Sequence, residues 1–398
     1  MNCEGWQKMR LEELMQFNPQ ESIPRNALAK KISMDKIRPF SKFVNEYEIT
    51  EYKCGTKFRN DDTLLARITP CLENGKTAKV NILNNGEVGF GSTEFIVLRA
   101  KKNISDADFI YYLAISPTFR DIAIKSMIGT TGRQRVQDDA LKNLVVRVPL
   151  LPEQQAIAAT LSCLDDKIEL NNRINHNLYD IATILQKQAI YSAAKTSLVT
   201  IADVCDVKGG KRLPKGVNLI SSPNQHPYIR VRDLNNAYYV QLSPTFEYVD
   251  SKTQKSISNY IVHTNDVLIS IVGTIGLSAI VHQSLNNANL TENCVKLTNF
   301  YEASSEYVFL LLQSKFGQDS IKKATVGAVQ PKLPIKNIQK IPIIKLAKPE
   351  MDELNRKIQP LFRSIAANLS ENANLMYIKD SLLPKLISGE IQVPEEDS

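Results

Sequence analysis

The sequence predicts an α+β protein. Two globular domains of α/β type alternate with two long helices, so that one half of the chain repeats the other. Three observations predict this plan. An apolar seam of ten positions occurs twice, similar strand and turn segments precede each seam, and positive charge gathers in two separate stretches. At 398 residues the chain is also too long for one typical domain.

The seams come first. Pro152-Glu153 is followed by Ile157, Leu161, Leu164, Ile168, Asn171, Asn175, Leu178, Ala182, Leu185 and Ala189. Pro349-Glu350 opens the same series 197 residues later, with Leu354, Ile358, Leu361, Ile365, Asn368, Asn372, Leu375, Lys379, Leu382 and Leu386. Steps alternating between four and three residues are those of a coiled-coil seam. Two asparagines stand at the centre of each, where buried amides fix register and partner choice. Proline and glutamate at the start favour a helix N-terminus. Each helix should run for about 40 residues, or about 60 Å. Pro360 should kink the second helix or delay its regular start.

The segments ahead of the helices correspond as well. Asn60-Asp61-Asp62-Thr63-Leu64-Leu65 matches Thr264-Asn265-Asp266-Val267-Leu268-Ile269. Leu141-Lys142-Asn143-Leu144, leading into Val145 to Val148, matches Ile335-Lys336-Asn337-Ile338, leading into Ile341 to Ile344. Short runs rich in Val, Ile, Phe and Tyr, such as Glu94 to Leu98 and Asp266 to Val272, read as strands. They are punctuated by turns at Asn74-Gly75, Asn85-Gly86 and Gly209-Gly210. Helical stretches at Asp106 to Ser126 and Ser304 to Lys323 precede the last strand of each domain. The expected organisation is a domain at 1–148, a helix at 149–198, a domain at 199–344, and a helix and tail at 345–398. Thr196 to Leu198 and Ile391 to Ser398 serve as joint and tail, with Glu395 to Ser398 disordered.

The net charge of +7 is unevenly spread. Residues 1–148 carry 23 Lys and Arg against 18 Asp and Glu, and residues 199–344 carry 15 against 10. The two helical stretches are slightly acidic, with 4 basic against 5 acidic residues at 149–198 and 7 against 9 at 345–398. This suits two basic heads that meet a polyanion, on a neutral frame. No apolar run reaches a membrane span, and the polar start Met1 to Arg10 carries no signal-peptide core, so a cytoplasmic protein is expected. Cys3, Cys54, Cys71, Cys163, Cys205 and Cys294 are scattered and read as reduced thiols.

Catalytic motifs are missing. The sequence has no Gly-x-x-x-x-Gly-Lys-Ser/Thr phosphate loop and no Asn/Asp-Pro-Pro-Tyr/Phe tetrapeptide of the kind that holds a flipped base. Gly89-Phe90-Gly91 lacks the strand–turn–helix setting of a cofactor loop. His176, His226, His263 and His282 show no metal-ligand spacing, and His176 reads as solvated on its helix. Asp165-Asp166-Lys167 points its side chains in different directions on a continuous helix and reads as a solvated face. No catalytic residue and no metal site is expected.

What remains is a set of basic loops mixed with glycine, amides and aromatics. Arg and Lys neutralise phosphates and read guanine, while Asn and Gln read adenine. In the first domain the candidates are Lys57, Arg59, Arg67, Lys76, Arg133, Gln134 and Arg135. In the second they are Lys211, Arg212, Arg230, Arg232, Gln330 and Lys332. Two other readings stay open: a self-contained DNA methyltransferase or nuclease, and a non-specific DNA-binding coiled-coil scaffold. Methyl transfer by the chain alone would mark the first. Binding that ignores sequence would mark the second.

The chain also resembles the specificity subunit of type I restriction–modification systems. The motifs are Leu150-Leu151-Pro152-Glu153-Gln154-Gln155-Ala156-Ile157 at the start of the first helix and Leu382-Leu383-Pro384-Lys385-Leu386-Ile387-Ser388-Gly389-Glu390-Ile391 at the end of the second. Trp6, Asn265-Asp266-Val267-Leu268 and the Gly327 to Pro334 segment fit too, whereas Lys348-Pro349-Glu350-Met351-Asp352 departs from the motif. The resemblance implies that each domain is a target-recognition domain reading one part of a split, asymmetric DNA target. It implies that the helices pack as an antiparallel coiled coil and set the spacer. The partners are then double-stranded DNA, two methyltransferase subunits that act on adenine, and restriction and translocation subunits. The subunit itself has no turnover and no cofactor. S-adenosylmethionine, ATP and Mg belong to the partners. In an aligned antiparallel pair, Asn171 and Asn175 should face Asn368 and Asn372.

Overall fold

The computed structural model describes residues 5–393 except 131, 235–237 and 328, so Cys3, Thr131, Ala328 and the tail Glu395 to Ser398 lie outside the described residues. The chain forms two compact units. One joins Met1–Asn171 to Glu371–Ser398, and the other is the continuous stretch Asn172–Ser370. The two long helices, Leu151–Ser192 and Lys348–Ser388, each contribute to both units.

Each unit is built around a strand that follows the repeated Asp segment. In the first, Thr63–Ala66 lies between Phe95–Ala100 and Thr77–Lys79, antiparallel to both. In the second, Val267–Ser270 lies between Cys294–Thr298 and Ser278–Val281 in the same way. Every residue of both central strands is buried, as strands covered on two faces must be. The turn entering each strand is also the same. Asp61 and Asn265 both have φ 70°, a conformation that Asn and Asp tolerate best among residues with a side chain. The next residue, Asp62 or Asp266, is buried and accepts the backbone N–H three residues back, from Arg59 at 2.7 Å and His263 at 2.8 Å. A second sheet in each unit holds a parallel pair, Leu28–Ile32 with Gly89–Gly91 and Pro227–Ile229 with Asn289–Leu290. Gly89 and Gly91 are glycines because a Cβ would sit 2.6 Å from the Phe58 ring and 2.4 Å from the Ile32 carbonyl. Gly209-Gly210 is not a turn: Gly209 ends a strand, and a Cβ on Gly210 would stand 1.9 Å from the Thr291 carbonyl.

Two local expectations are corrected. The stretch Asp106 to Ser126 is two helices, Ala107–Ile115 and Pro117–Lys125, and Ser304 to Lys323 divides into Ser305–Gln313 and Lys315–Ala324. At each break an extended serine, Ser116 or Ser314, accepts a first-turn N–H of the following helix, and Pro117 fills its first position. Thr196 to Leu198 is not a loop but belongs to the strand Thr196–Thr200, antiparallel to Pro342–Leu346. It corresponds to Gln7–Arg10 against Val145–Val148 in the first unit.

The second long helix runs unbroken from Lys348 through Pro360, so its start is not delayed. The proline forfeits one backbone bond, but Ile358 and Phe362 on either side are completely buried and hold the helix by packing. In the first unit Asn171 Nδ2 donates to Asn372 Oδ1 at 2.9 Å. In the second, Asn368 Nδ2 donates to Asn175 Oδ1 at 2.8 Å. Numbers that rise on one helix while they fall on the other are the antiparallel order expected. Leu161, Ile358 and Ile365 are buried along the seam, while Leu164, Ile168, Leu178, Leu361 and Leu375 are half-buried.

Asp165 does not lie on a solvated face, as its spacing suggested. It is 5% exposed and accepts the Tyr112 hydroxyl at 2.7 Å and Lys379 Nζ at 2.6 Å. The seam accounts for the contact between the two long helices, but the helix Ala107–Ile115 covers the flank as well. Asp166 is exposed, and Lys167 makes an exposed pair with Glu371. Gln154 explains part of the Pro-Glu-Gln-Gln motif. Its amide, 1% exposed, donates to the Ile104 and Pro149 carbonyls and accepts Asp106 N–H, fastening the first long helix to its domain. In the second repeat, buried Met351 holds the corresponding place.

Candidate nucleic-acid interface

Beyond its central strand, each unit carries the same hairpin. In the first, Ile128 and Arg135 exchange both backbone hydrogen bonds at 3.0 Å, Thr69 N–H donates to Gln134 O, and Val136 N–H donates to Arg67 O. In the second, Val326 and Lys332 exchange theirs at 2.9 Å, and Leu333 N–H donates to Ile271 O. Arg135 and Lys332 are therefore equivalent positions. Both hairpins open on a glycine that the turn requires. Gly129 has φ +141° and Gly327 φ +95°, and a Cβ would stand 2.9 Å from Arg133 O and 2.7 Å from Gln330 O.

The first unit's candidates fall into three groups. Arg133 is exposed, with no side-chain partner among the described residues, and Gln134 beside it is half-buried. Arg135 is held side-on by the Glu94 carboxylate, with Nη2 at 2.6 Å and Nε at 3.0 Å from its two oxygens. Those bonds, ahead of burial, hold the Glu94 carboxyl below the usual range. Arg67 and Lys76 are tied into the fold, Arg67 to Val136 O and Asp138, Lys76 to Met34 O. Lys57 and Arg59 lie on or beside the second sheet, Lys57 over the Tyr52 ring and Arg59 against Glu21 at 2.7 Å.

In the second unit Gln330 and Lys332 are exposed on the hairpin. Lys211 sits over the Tyr260 ring, and the well-exposed Arg212 donates through Nε to Glu292 at 2.8 Å. Arg230 is mostly buried between Glu247 and Asp233, and Arg232 pairs more loosely with the same two acids. Burial pushes Asp233 up to about 6 despite the pull of Arg232.

The connection between the two sheets lies beside the hairpin. Arg67 N–H donates to Glu94 O, and Ile271 N–H donates to Asn293 O, so the hairpin in each unit adjoins the connection at 92–94 or 291–293. Arg135 in one unit and Arg212 in the other reach an acid on that connection. The Lys57 and Arg59 side chains meet other partners, the Tyr52 ring and Glu21. Glu94 and Glu292 are not among the candidates, because their spacing in the sequence gives no signal. Among the described residues no group of His, Cys, Asp or Glu could hold a metal ion, and no helix is long and apolar enough to cross a membrane. The five described cysteines are unpaired.

Comparison with known proteins agrees with the repeat. The model of the type I restriction modification DNA specificity domain matches twice, over residues 3–179 and 195–359. The HindI type I restriction enzyme specificity subunit of Haemophilus influenzae is 25% identical over 413 residues, spanning 84% of this chain and 87% of that protein. The MjaIX specificity subunit of Methanocaldococcus jannaschii is 22% identical over 316 residues, 73% of this chain and 70% of that one. Among solved structures, the type I restriction–modification S subunit from M. genitalium has the same fold. Its TM-score is 0.56 at 16% identity, over 100% of this chain and 98% of that one.

Proposed function

The chain belongs to the type I restriction modification DNA specificity family and is a sequence-reading specificity subunit, and from that premise we propose that each unit reads one part of a bipartite, asymmetric duplex target. The observation that carries this reading is the hairpin built twice from equivalent positions, once with Arg133 to Arg135 and once with Gln330 to Lys332. A glycine-turned loop bearing forked and amide side chains can enter a groove and offer donors to base edges. The flanking basic residues supply sequence-independent attraction to phosphate.

The subunit works without turnover of its own. It directs two methyltransferase subunits to adenines and restriction–translocation subunits to the same DNA, in the cytoplasm. S-adenosylmethionine, ATP and Mg act on those partners. The test is an exchange of residues 199–344 for the equivalent domain of a relative, followed by mapping of methylated adenines in a host that carries the partner subunits. One half of the methylated sequence should change. A change in both halves, or in neither, would overturn modular reading.

A further inference from the structure

Arg133 and Arg135 lie two residues apart on one hairpin but meet different surroundings. Arg133 is exposed and has no carboxylate partner among the described residues. Arg135 is gripped by Glu94 through Nε–H and one Nη2–H. A guanidinium has five N–H groups in one plane. A side-on carboxylate takes two of them and leaves the end-on edge, one N–H from each terminal nitrogen, free to donate on a side chain that is 44% exposed. Guanine presents two adjacent acceptors, O6 and N7, to such an edge in the major groove. Glu94 is itself fixed. Its N–H donates to Ser92 Oγ at 3.1 Å, its carbonyl accepts Arg67 N–H at 2.9 Å, and its carboxyl is held ionised by the contact with Arg135. The carboxylate also cancels much of the arginine's charge, so a phosphate gains less by meeting Arg135 than by meeting Arg133.

Resting on the reading of this hairpin as a DNA interface, we propose that Glu94 is a specificity-determining positioning residue that presents the end-on edge of Arg135 to one guanine in the first unit's half of the target, while Arg133 serves phosphate alone. The second unit repeats the device in part, with Arg212 Nε on Glu292 at 2.8 Å.

The experiment uses the full chain with its partner subunits and the target found by methylation mapping. Each guanine in the first unit's half-site is replaced in turn by 7-deazaguanine, which lacks the N7 acceptor. In the unaltered protein one such replacement should weaken binding roughly 10- to 100-fold. Arg135→Ala should lose that penalty, and Arg135→Lys, which has three donors but no planar fork for Glu94 to hold, should keep only part of it. Glu94→Gln should reduce it below about threefold and tighten binding to random duplex, since a negative charge is gone. Arg133→Ala should keep the penalty and lower the salt slope by about 1. A full penalty in Glu94→Gln, an unchanged guanine profile in Arg135→Ala, or a half-site without guanine would overturn the inference. If Arg133→Ala and Arg135→Ala both leave affinity, slope and profile untouched, the hairpin is not at the DNA, and the reading beneath the inference falls with it.

Discussion

Lys379→Met would test the ion pair that fastens the second long helix into the first unit. Lys379 and Asp165 are 5% exposed each, 2.6 Å apart, and the second contact of Asp165 is the Tyr112 hydroxyl. Burial and the neighbouring Asp165 charge both push the Tyr112 hydroxyl far above its ordinary value, so it stays a donor. Methionine would leave an anion in an apolar setting with one hydrogen bond, a loss of about 3–5 kcal/mol. That is a large part of the ~5–15 kcal/mol that holds a domain folded. With a urea slope of about 3 kcal/mol/M, the midpoint should fall by roughly 1–1.7 M. Trp6 is the only tryptophan and packs into the first unit's core, so its fluorescence reports that unit's unfolding. Asp165→Asn together with Lys379→Met removes both charges and keeps an acceptor for Tyr112. The double variant should regain at least half the loss. A midpoint shift under about 0.3 M in Lys379→Met, or a double variant as weak as the single, would refute this account.

Other outcomes follow from the same physics. Asn372→Leu leaves the fully buried Asn171 amide short of a partner and should cost about 1–3 kcal/mol by the same fluorescence assay. Asn171→Leu added to it should recover most of that stability. His282 is buried, accepts Ser284 N–H at Nδ1 and reaches Ala366 O through Nε2. Burial lowers its pKa below 6.5, so its neutral form contributes stability above that pH, and the contribution is lost as pH falls through the lower folded value. Amide protection in residues 172–370, taken as exchange rates divided by the intrinsic rate at each pH, should therefore fall from pH 7 to 5, and His282→Gln should flatten the trend. Inserting seven residues into each long helix keeps the seam in phase and adds about 10 Å. Methylation mapping should then find the unread spacer longer by roughly 3 base pairs, and an unchanged spacer would deny the helices that role.

The features most legible in sequence are those whose cause lies within a few residues. The 4–3 spacing put Asn171, Asn175, Asn368 and Asn372 on the seams, because a helix turns each chosen position to one side, and the antiparallel packing implied by the resemblance set the two pairs face to face. The matching segments Asn60 to Leu65 and Thr264 to Ile269 both turn into a central strand, because αL backbone and a capping carboxylate favour Asp61-Asp62 and Asn265-Asp266. Features set by distant partners were not legible. Thr196–Thr200 is a strand because Pro342–Leu346 lies beside it, and nothing near Thr196 announces that. Asp165 is buried by Tyr112, far off in sequence. Among the basic loop residues, sequence could not separate Arg67 and Arg230, whose guanidiniums are tied into the fold, from Arg133, which reaches solvent.

The make-up of the units bears on how the protein is synthesised. The second unit is one continuous stretch, whereas the first needs Glu371–Ser398 to complete its core. Domains usually fold in the order in which they leave the ribosome, at about 5–20 residues per second. Here that order should reverse. Residues 1–171 emerge first but must wait roughly 10–40 s for the stretch that brings Lys379, Leu383 and Leu386, while residues 172–370 can close ahead of them. During that wait Ile157, Leu161 and the Asp165 carboxylate lack their cover, which makes the nascent first half the stage most exposed to chaperones and proteases.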